Sequence, residues 1–327
     1  MSDKSKTMKQ LTFTKSIFVA LLSLVSWSGF AQQEFQFTQF MHNQLFYNPA
    51  YAGVPSQASL SAFYRNQWVG FDGAPESRLL SFNTPLLGER VGLGLIVSNH
   101  SAGLFNNWYG SMAYSYQLRV SEDLAVRFGL QGSMRYYGMD FEDPSVYIRE
   151  EGDPSFSENM EDQFTGNFGM GLHVTYKKIF LAVSVPHFFP NEISLNSDDI
   201  VTLVAKEAPH YYLMAGVELP LKEGFTLKPA VFCKYVENAP FDLDANLSVV
   251  IKEQITAGVS YRLGGDGAGE SVDLMALYQY KNFGFGLAYD ILLFDIGQHS
   301  SGSFEALVRY EFLKAKDDMV NPRFITE

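Results

Sequence analysis

The chain has 327 residues, of which 46% are hydrophobic and 15% aromatic, and its formal net charge is −12 at pH 7. Acidic side chains outnumber basic ones by 36 to 24, and this excess argues against nucleic acid as a partner, because phosphates are bound by basic side chains. The single cysteine, Cys233, excludes an internal disulfide. A mean hydropathy near zero, at −0.05, is typical of a barrel whose polar and apolar side chains alternate.

Residues 1–31 have the features of a cleavable signal peptide. Four lysines precede an apolar run at residues 16–27, and small residues end at Ala31, so cleavage before Gln32 is expected. A transmembrane anchor is the alternative, but the run is shorter than the roughly 20 residues that a bilayer helix needs. Removing the leader takes away four lysines and one aspartate, which changes the formal charge from −12 to −15.

Residues 32–57 precede the first predicted strand and are rich in aromatic side chains. Asn48 and Pro49 favour a turn, and Gly53 supplies a permissive backbone. We expect this segment to fold into the periplasmic end of the barrel lumen as a partial plug, and a loose periplasmic strap is the alternative. The aromatic side chains suited to packing inside or beneath the barrel mouth are Phe35, Phe37, Phe40, Phe46, Tyr47 and Tyr51.

Residues 58–312 alternate between apolar and polar side chains with period two. Within residues 108–118, for example, large apolar side chains mostly alternate with Ser, Ala and Gln. Because successive side chains of a strand point to opposite faces, each segment has one apolar and one polar face. The pattern predicts an all-β fold, a transmembrane antiparallel β-barrel of about 14 strands. The predicted strands lie near 58–68, 77–84, 91–99, 107–119, 124–136, 165–176, 179–187, 210–220, 225–236, 241–251, 255–263, 272–280, 283–289 and 303–312.

The links between predicted strands alternate between long and short. The long links include 137–164, 188–209, 264–271 and 290–302, the short ones include 120–123, 177–178, 221–224, 252–254 and 281–282, and 237–240 is a short link among the long ones. Outer-membrane barrels have short periplasmic turns and longer external loops. The short links fall on the same side of the barrel as both chain ends, with 237–240 as the exception. We therefore expect both chain ends in the periplasm and the acidic link 137–164 outside the cell.

A soluble β-sandwich or barrel is the main alternative fold, since it also alternates. Such a fold turns its apolar face inward and its polar face to water. The signal peptide, the link asymmetry and strand lengths close to the 9–11 residues that cross a bilayer favour the membrane barrel.

Two charged segments lie outside the predicted strands. The link 137–164 offers nine carboxylates, which suit Ca²⁺, against one base, Arg149, but it lacks the spacing of an EF-hand, and we predict no metal site. The tail 313–327 has mixed charge and is expected in the periplasm, where another protein can engage it. Disorder of the tail is the alternative.

No catalytic residue and no cofactor are predicted. His173 lies in the polar phase of its strand, and Ser184 on the next strand is the one conceivable nucleophile beside it. The sequence does not indicate a third side chain that would orient His173, and neither His173 nor Ser184 lies in a nucleophile motif. The pair is therefore not predicted to be catalytic.

Residues 36–53 resemble the N-terminal signature of the PorP/SprF family of type IX secretion system membrane proteins. The motif reads Tyr47-Asn48-Pro49-Ala50-Tyr51-Ala52-Gly53. Weaker similarities follow at Tyr64-Arg65-Asn66-Gln67-Trp68 in the first strand, at 83–86, at 209–212 and at 303–312. Within the first-strand motif, Arg65 is expected to be a charge in the lumen and Trp68 an interfacial belt residue.

The resemblance implies an outer-membrane barrel of Bacteroidota-type bacteria, which is not an enzyme and works through protein contacts. Some members of this family act with periplasmic ring subunits and lipoproteins, and others help to export or anchor large surface adhesins. The implied partners are therefore outer-membrane lipid, a secreted surface protein or adhesin, and periplasmic secretion components. A transporter or porin for small or hydrophobic solutes is the alternative, although the inward phase of Ser, Gln, Arg, Asp and Gly does not suit a continuous apolar path.

Overall fold

The computed structural model describes residues 35–87, 89–139, 163–197, 200–264 and 269–313. The signal peptide and most of the tail, which were assigned from the sequence to 1–31 and 313–327, lie outside these residues, as do positions 140–162 of the acidic link. The strands are β1 (Ser59–Asn66), β2 (Glu76–Leu86), β3 (Val91–Ala102), β4 (Phe105–Arg119), β5 (Leu124–Met139), β6 (Gln163–Tyr176), β7 (Ile179–Val185), β8 (Asn191–Ser197), β9 (Ile200–Glu207), β10 (His210–Val217), β11 (Leu219–Lys222), β12 (Phe225–Val236), β13 (Asp242–Ile251), β14 (Ile255–Leu263), β15 (Ser271–Tyr280), β16 (Phe283–Leu292) and β17 (Ser303–Glu311).

A closed ring of strands follows from their pairing. Each barrel strand pairs antiparallel with its neighbours, and β1 pairs with β17 from Ser59 opposite Glu311 to Asn66 opposite Phe304. β10 pairs with β7 on one side and with β12 on the other. β11 also pairs with β12, and Leu219 opposite Leu227 continues the register of β10 with β12. β10 and β11 therefore act as one barrel strand that is interrupted at Glu218. These strands therefore form a closed antiparallel barrel of fourteen strands, which confirms the predicted fold class.

The outer face of the barrel is apolar, and the inner face carries the small and polar side chains. In β16 the exposed positions include Phe285, Leu287 and Tyr289, whereas the alternate positions Ala288 and Asp290 are buried. Large exposed apolar side chains over a whole barrel surface indicate a surrounding membrane and not water. The structure thus decides against the soluble alternative. Among the described residues, none of the helices is long and apolar enough to cross a membrane.

The barrel has two unlike ends. The end with Ser59 and Glu311 also holds the turns at 177–178, 252–254 and 281–282, and we call it the short-turn end; the other is the loop end. The loop end differs from the expectation in two places. β3 and β4 are joined there by only residues 103–104, and the predicted link 188–209 contains a hairpin, β8 and β9, outside the barrel sheet.

Candidate functional site

Residues 35–57, which we call the lumen segment, lie inside the barrel and run from its loop end to its short-turn end. At the loop end, the Phe35 ring stacks on His100 of β3 with 4.9 Å between the ring centroids. Further along, the backbone carbonyl of His42 accepts a hydrogen bond from Arg309, near the short-turn end of β17. The described part of the segment thus contacts the barrel wall near both ends of the lumen, whereas the sequence interpretation placed it at one end.

Short helical turns and aromatic contacts give the lumen segment its shape. Two 3₁₀ turns (Phe40–His42 and Pro49–Tyr51) flank a short helix, α1 (Gln44–Tyr47). The hydroxyl of Tyr47 accepts a hydrogen bond from the backbone N–H of Phe37 at 3.0 Å, and this bond folds the segment back on itself. The aromatic rings of the segment also pack against inward rings of the barrel, with Phe40 stacked on Phe232 at 5.3 Å. These rings form one apolar core together with inward side chains of the barrel strands.

A row of small inward side chains on five neighbouring strands supports residues 47–53. We call this row the seat. Its members are Gly92 on β3, Ser115 on β4, Gly129 on β5, Gly171 on β6 and Ser184 on β7, each paired directly with the next. Ser184 donates a hydrogen bond to the carbonyl of Tyr47 at 2.7 Å, and Ser115 donates one to the carbonyl of Ala52 at 2.6 Å. Residues 47–53 therefore cross the strands from β7 to β3.

The seat has to be small because the segment backbone touches the barrel wall. A Cβ atom on Gly129 would overlap the backbone of Ala50, and one on Gly171 would overlap the Asn48 side chain. Gly53 has a φ of +68°, which favours glycine, and a Cβ there would lie 2.6 Å from the Cα of Gly92. These contacts explain why glycine is needed both in the lumen segment, at Gly53, and in the barrel strands that it touches.

Asn48 is the polar anchor of the motif. Its side-chain oxygen accepts from the N–H of Ala50 at 2.8 Å, which caps the turn Pro49–Tyr51. Its amide nitrogen donates to the carbonyl of Leu172 on β6 at 3.1 Å. The sequence predicted a turn here, and the second bond shows that the same side chain also attaches this turn to the barrel.

Replacement of Asn48 by alanine is expected to lower the free energy of unfolding by about 1–3 kcal/mol, because the N–H of Ala50 and a strand carbonyl lose a buried partner. The measurement is guanidinium unfolding of the protein from lipid vesicles. Gln57→Ala, at an exposed position of the same segment, is the control and should change stability by less than about 0.5 kcal/mol. An equal loss in both variants would contradict the anchoring role of Asn48.

At the loop end, six charged side chains on six strands surround the start of the lumen segment. We call them the charge cluster, and they are Arg65, Asp244, Arg262, Asp273, Asp290 and Glu305. Arg65 lies 2.7 Å from Asp290 and 3.3 Å from Glu305, and Arg262 lies 2.8 Å from Asp244. Four carboxylates thus share two guanidinium groups in a buried site.

The lumen segment supplies further donors to these carboxylates. The hydroxyl of Thr38 donates to Asp290 at 2.7 Å, and the backbone N–H groups of Thr38 and Gln39 donate to Glu305 at 2.7 and 3.0 Å. Gln36 donates to Asp244 at 2.6 Å. The segment is therefore part of what compensates the buried negative charge. The contact of Thr38 with Asp290 and Glu305 was not predicted from the sequence, because it depends on long-range strand register.

The other residues of the first-strand motif have separate positions. Arg65 faces the lumen, as its contacts show, whereas Tyr64 is half-exposed on the outer face. Gln67 and Trp68 follow the end of β1 and line a cavity of about 390 Å³ at the loop end, together with Phe35. Trp68 thus lines this cavity, and its role as an interfacial belt residue stays a prediction.

His173 and Ser184 do not form a pair. The His173 ring stacks on Phe180 with a centroid distance of 5.6 Å, while Ser184 donates to Tyr47. Ser184 is opposite Gly171 in the strand register, and His173 is opposite Ala182. Among the described residues, no group of three or more His, Cys, Asp or Glu side chains is arranged to hold a metal ion.

A second cavity, of about 500 Å³, lies at the short-turn end. Its positively charged lining residues are Lys177, Lys178, Lys228 and Arg309. Glu218 also lines it and pairs with Lys228. The short-turn end of the lumen is thus a basic pocket in an acidic chain.

A closed barrel with an apolar outer face and a polar, occupied interior defines a transmembrane β-barrel protein of the outer-membrane type. A family model described as "Type IX secretion system membrane protein PorP/SprF" matches residues 29–310, and the chain belongs to this family. The predicted resemblance is confirmed. A comparison with curated protein sequences finds no match.

Several solved barrels are similar at low identity. A monoaromatic hydrocarbon channel, CymD, is 12% identical with a TM-score of 0.49, covering 84% of this chain and 94% of that one. The TodX deltaS2S3 mutant, also a monoaromatic hydrocarbon channel, is 13% identical with a TM-score of 0.48 over 82% and 93% of the two chains. The outer membrane protein Omp33 of Acinetobacter baumannii is 6% identical with a TM-score of 0.44 over 78% and 98%.

Proposed function

We propose that this protein acts in the export or cell-surface anchoring of secreted proteins of the adhesin type, through protein contacts at the two ends of the barrel and not by passing solutes. The observation that carries the proposal is the course of the lumen segment. It contacts inward side chains from the loop end to the short-turn end and separates a cavity of about 390 Å³ at one end from one of about 500 Å³ at the other.

The orientation follows from the general architecture of outer-membrane barrels, in which short turns face the periplasm. We place the short-turn end there, with the signal peptide cleaved after Ala31. The basic pocket around Lys177, Lys228 and Arg309 then faces periplasmic partners such as ring subunits or lipoproteins. The loop end, with the hairpin β8–β9, faces a secreted surface protein.

Affinity purification from detergent-solubilised membranes tests this proposal, with the tag placed at the C-terminus. Co-purification of a large surface protein is expected for an anchoring role, and co-purification of periplasmic ring components is expected for a role in the core machine. A variant truncated after Leu313 is the matched control, and selective loss of periplasmic partners would assign them to the tail. Absence of both partners, together with solute flux through the purified protein in liposomes, would replace the proposal with the transporter alternative.

A further inference from the structure

The position of Phe35 limits where the N-terminus of the mature chain can lie. With cleavage after Ala31, only residues 32–34 precede Phe35, and three residues span at most about 11 Å. Phe35 stacks on His100, which lies on β3 at the loop end. Val91, at the short-turn end of the same strand, is roughly 30 Å away along the strand at about 3.3 Å per residue. The mature N-terminus therefore cannot reach the short-turn end of the lumen.

A cavity lies beside the first described residues of the lumen segment. Phe35 and Gln36 themselves line the cavity of about 390 Å³ at the loop end, together with Trp68, Arg65 and Arg262. Its volume falls within the range of about 300–1,000 Å³ that is usual for small-molecule sites, so it can hold a short peptide. The polypeptide that directly precedes Phe35 is thus attached to a residue of the cavity wall.

Two buried donors at this cavity have no acceptor among the residues that the structure describes. Arg65 is only 3% exposed and pairs with carboxylates through its terminal nitrogens, but its Nε has no hydrogen-bond partner. The indole Nε1 of Trp68 is likewise buried without a partner. A buried donor without an acceptor is unfavourable. Residues 32–34 are Gln, Gln and Glu, and each carries a side-chain oxygen that can accept a hydrogen bond.

We propose that residues 32–34 occupy this cavity, and that the mature N-terminus lies at the loop end of the lumen. There they supply acceptors to Trp68 and Arg65 and cover the charge cluster. Since β17 ends with Glu311 at the short-turn end, the two ends of the mature chain then lie at opposite ends of the barrel, whereas the sequence interpretation expects both in the periplasm. The inference rests on cleavage after Ala31 and not on which proteins the barrel binds.

Disulfide trapping in the full mature protein, purified in detergent, tests the position of residues 32–34. All variants carry Cys233→Ala, which removes the only native thiol. Gln33→Cys combined with Gln67→Cys, in the cavity lining, is expected to form a disulfide under mild oxidation. Gln33→Cys combined with Lys178→Cys, at the short-turn end, is the matched control and should stay reduced. A disulfide only in the control pair, none in either pair, or an intact mass that retains the leader would overturn the proposal.

Tryptophan fluorescence tests whether residues 32–34 fill the cavity. The mature chain has two tryptophans, Trp68 at the cavity and Trp108, which is 49% exposed on the outer face. In a Trp108→Phe background, deletion of 32–34 is expected to shift the emission of Trp68 to longer wavelength and to increase its quenching by acrylamide, because water enters the cavity. In a Trp68→Phe background, the same deletion should leave the emission of Trp108 unchanged.

Two results of the fluorescence experiment would contradict the proposal. One is an emission of Trp68 that does not respond to the deletion. The other is a Trp68 that is quenched freely in the purified protein and is protected only when a second protein co-purifies, which would assign the cavity to a partner.

Discussion

Deletion of residues 33–52 is expected to turn a barrel with little conductance into a cation-selective channel. Eight-stranded barrels are filled by their own side chains, and barrels of 16–18 strands hold an aqueous channel. A barrel of fourteen strands lies between these sizes, and here buried side chains of the lumen segment occupy the interior. Single-channel recording in planar bilayers measures the change.

The selectivity follows from the charge cluster. Without the segment, Asp290 and Glu305 lose the donors from Thr38 and Gln39 and face the open lumen. Glu305→Gln in the deletion background should therefore reduce the preference for cations. Gly171→Val is the milder companion variant, because it displaces the Asn48 side chain and leaves the segment present. If both the deletion and this variant conduct no better than the unmodified protein while still folded, the segment does not close the lumen.

Replacement of Arg65 by methionine is expected to lower the free energy of unfolding by about 3–5 kcal/mol. The change removes one of the two guanidinium groups from a buried cluster of four carboxylates and leaves Asp290 and Glu305 without their nearest cation. Methionine keeps much of the length of the side chain, so the loss reflects charge more than a cavity. Guanidinium unfolding from lipid vesicles measures the difference.

The matched control is Arg78→Met. Arg78 also forms a 2.7 Å ion pair, with Glu76, but its side chain is 61% exposed. Solvent screening limits such a pair to about 0–1 kcal/mol. If both variants lose a similar free energy of unfolding, burial of the charge cluster does not account for the destabilisation caused by Arg65→Met.

Strand positions were predictable from the sequence because each barrel strand carries its own period-two pattern. Segments such as 225–236 and 255–263 coincide with β12 and β14 in the structure. The hairpin β8–β9, a separate two-stranded sheet, was missed because the sequence interpretation assigned the whole of 188–209 to one long link. The two-residue connection at 103–104 was missed because β3 and β4 extend past the apolar alternation with residues such as Asn106.

The seat was not predictable from a single sequence. Gly129 and Gly171 occur within strands whose inward phase contains many small residues, so neither is distinctive by itself. Their alignment depends on the register between β5 and β6, which places them directly opposite each other. The Asn48–Gly53 motif was recognisable, but its interpretation stopped at a turn, because nothing local shows what the turn contacts.

Thr38 has a consequence for the register in which the ring closes. It contacts Arg65 on the first strand and Glu305 on the last, so it bridges the seam between β1 and β17. At this seam the carboxylate of Glu305 is held by the backbone N–H groups of Thr38 and Gln39 and by the guanidinium of Arg65. A slip of two residues would place Ser303 or Leu307 opposite the same donors, and neither side chain has a carboxylate to offer them. The contacts of the lumen segment therefore favour the native register of the closing strand pair.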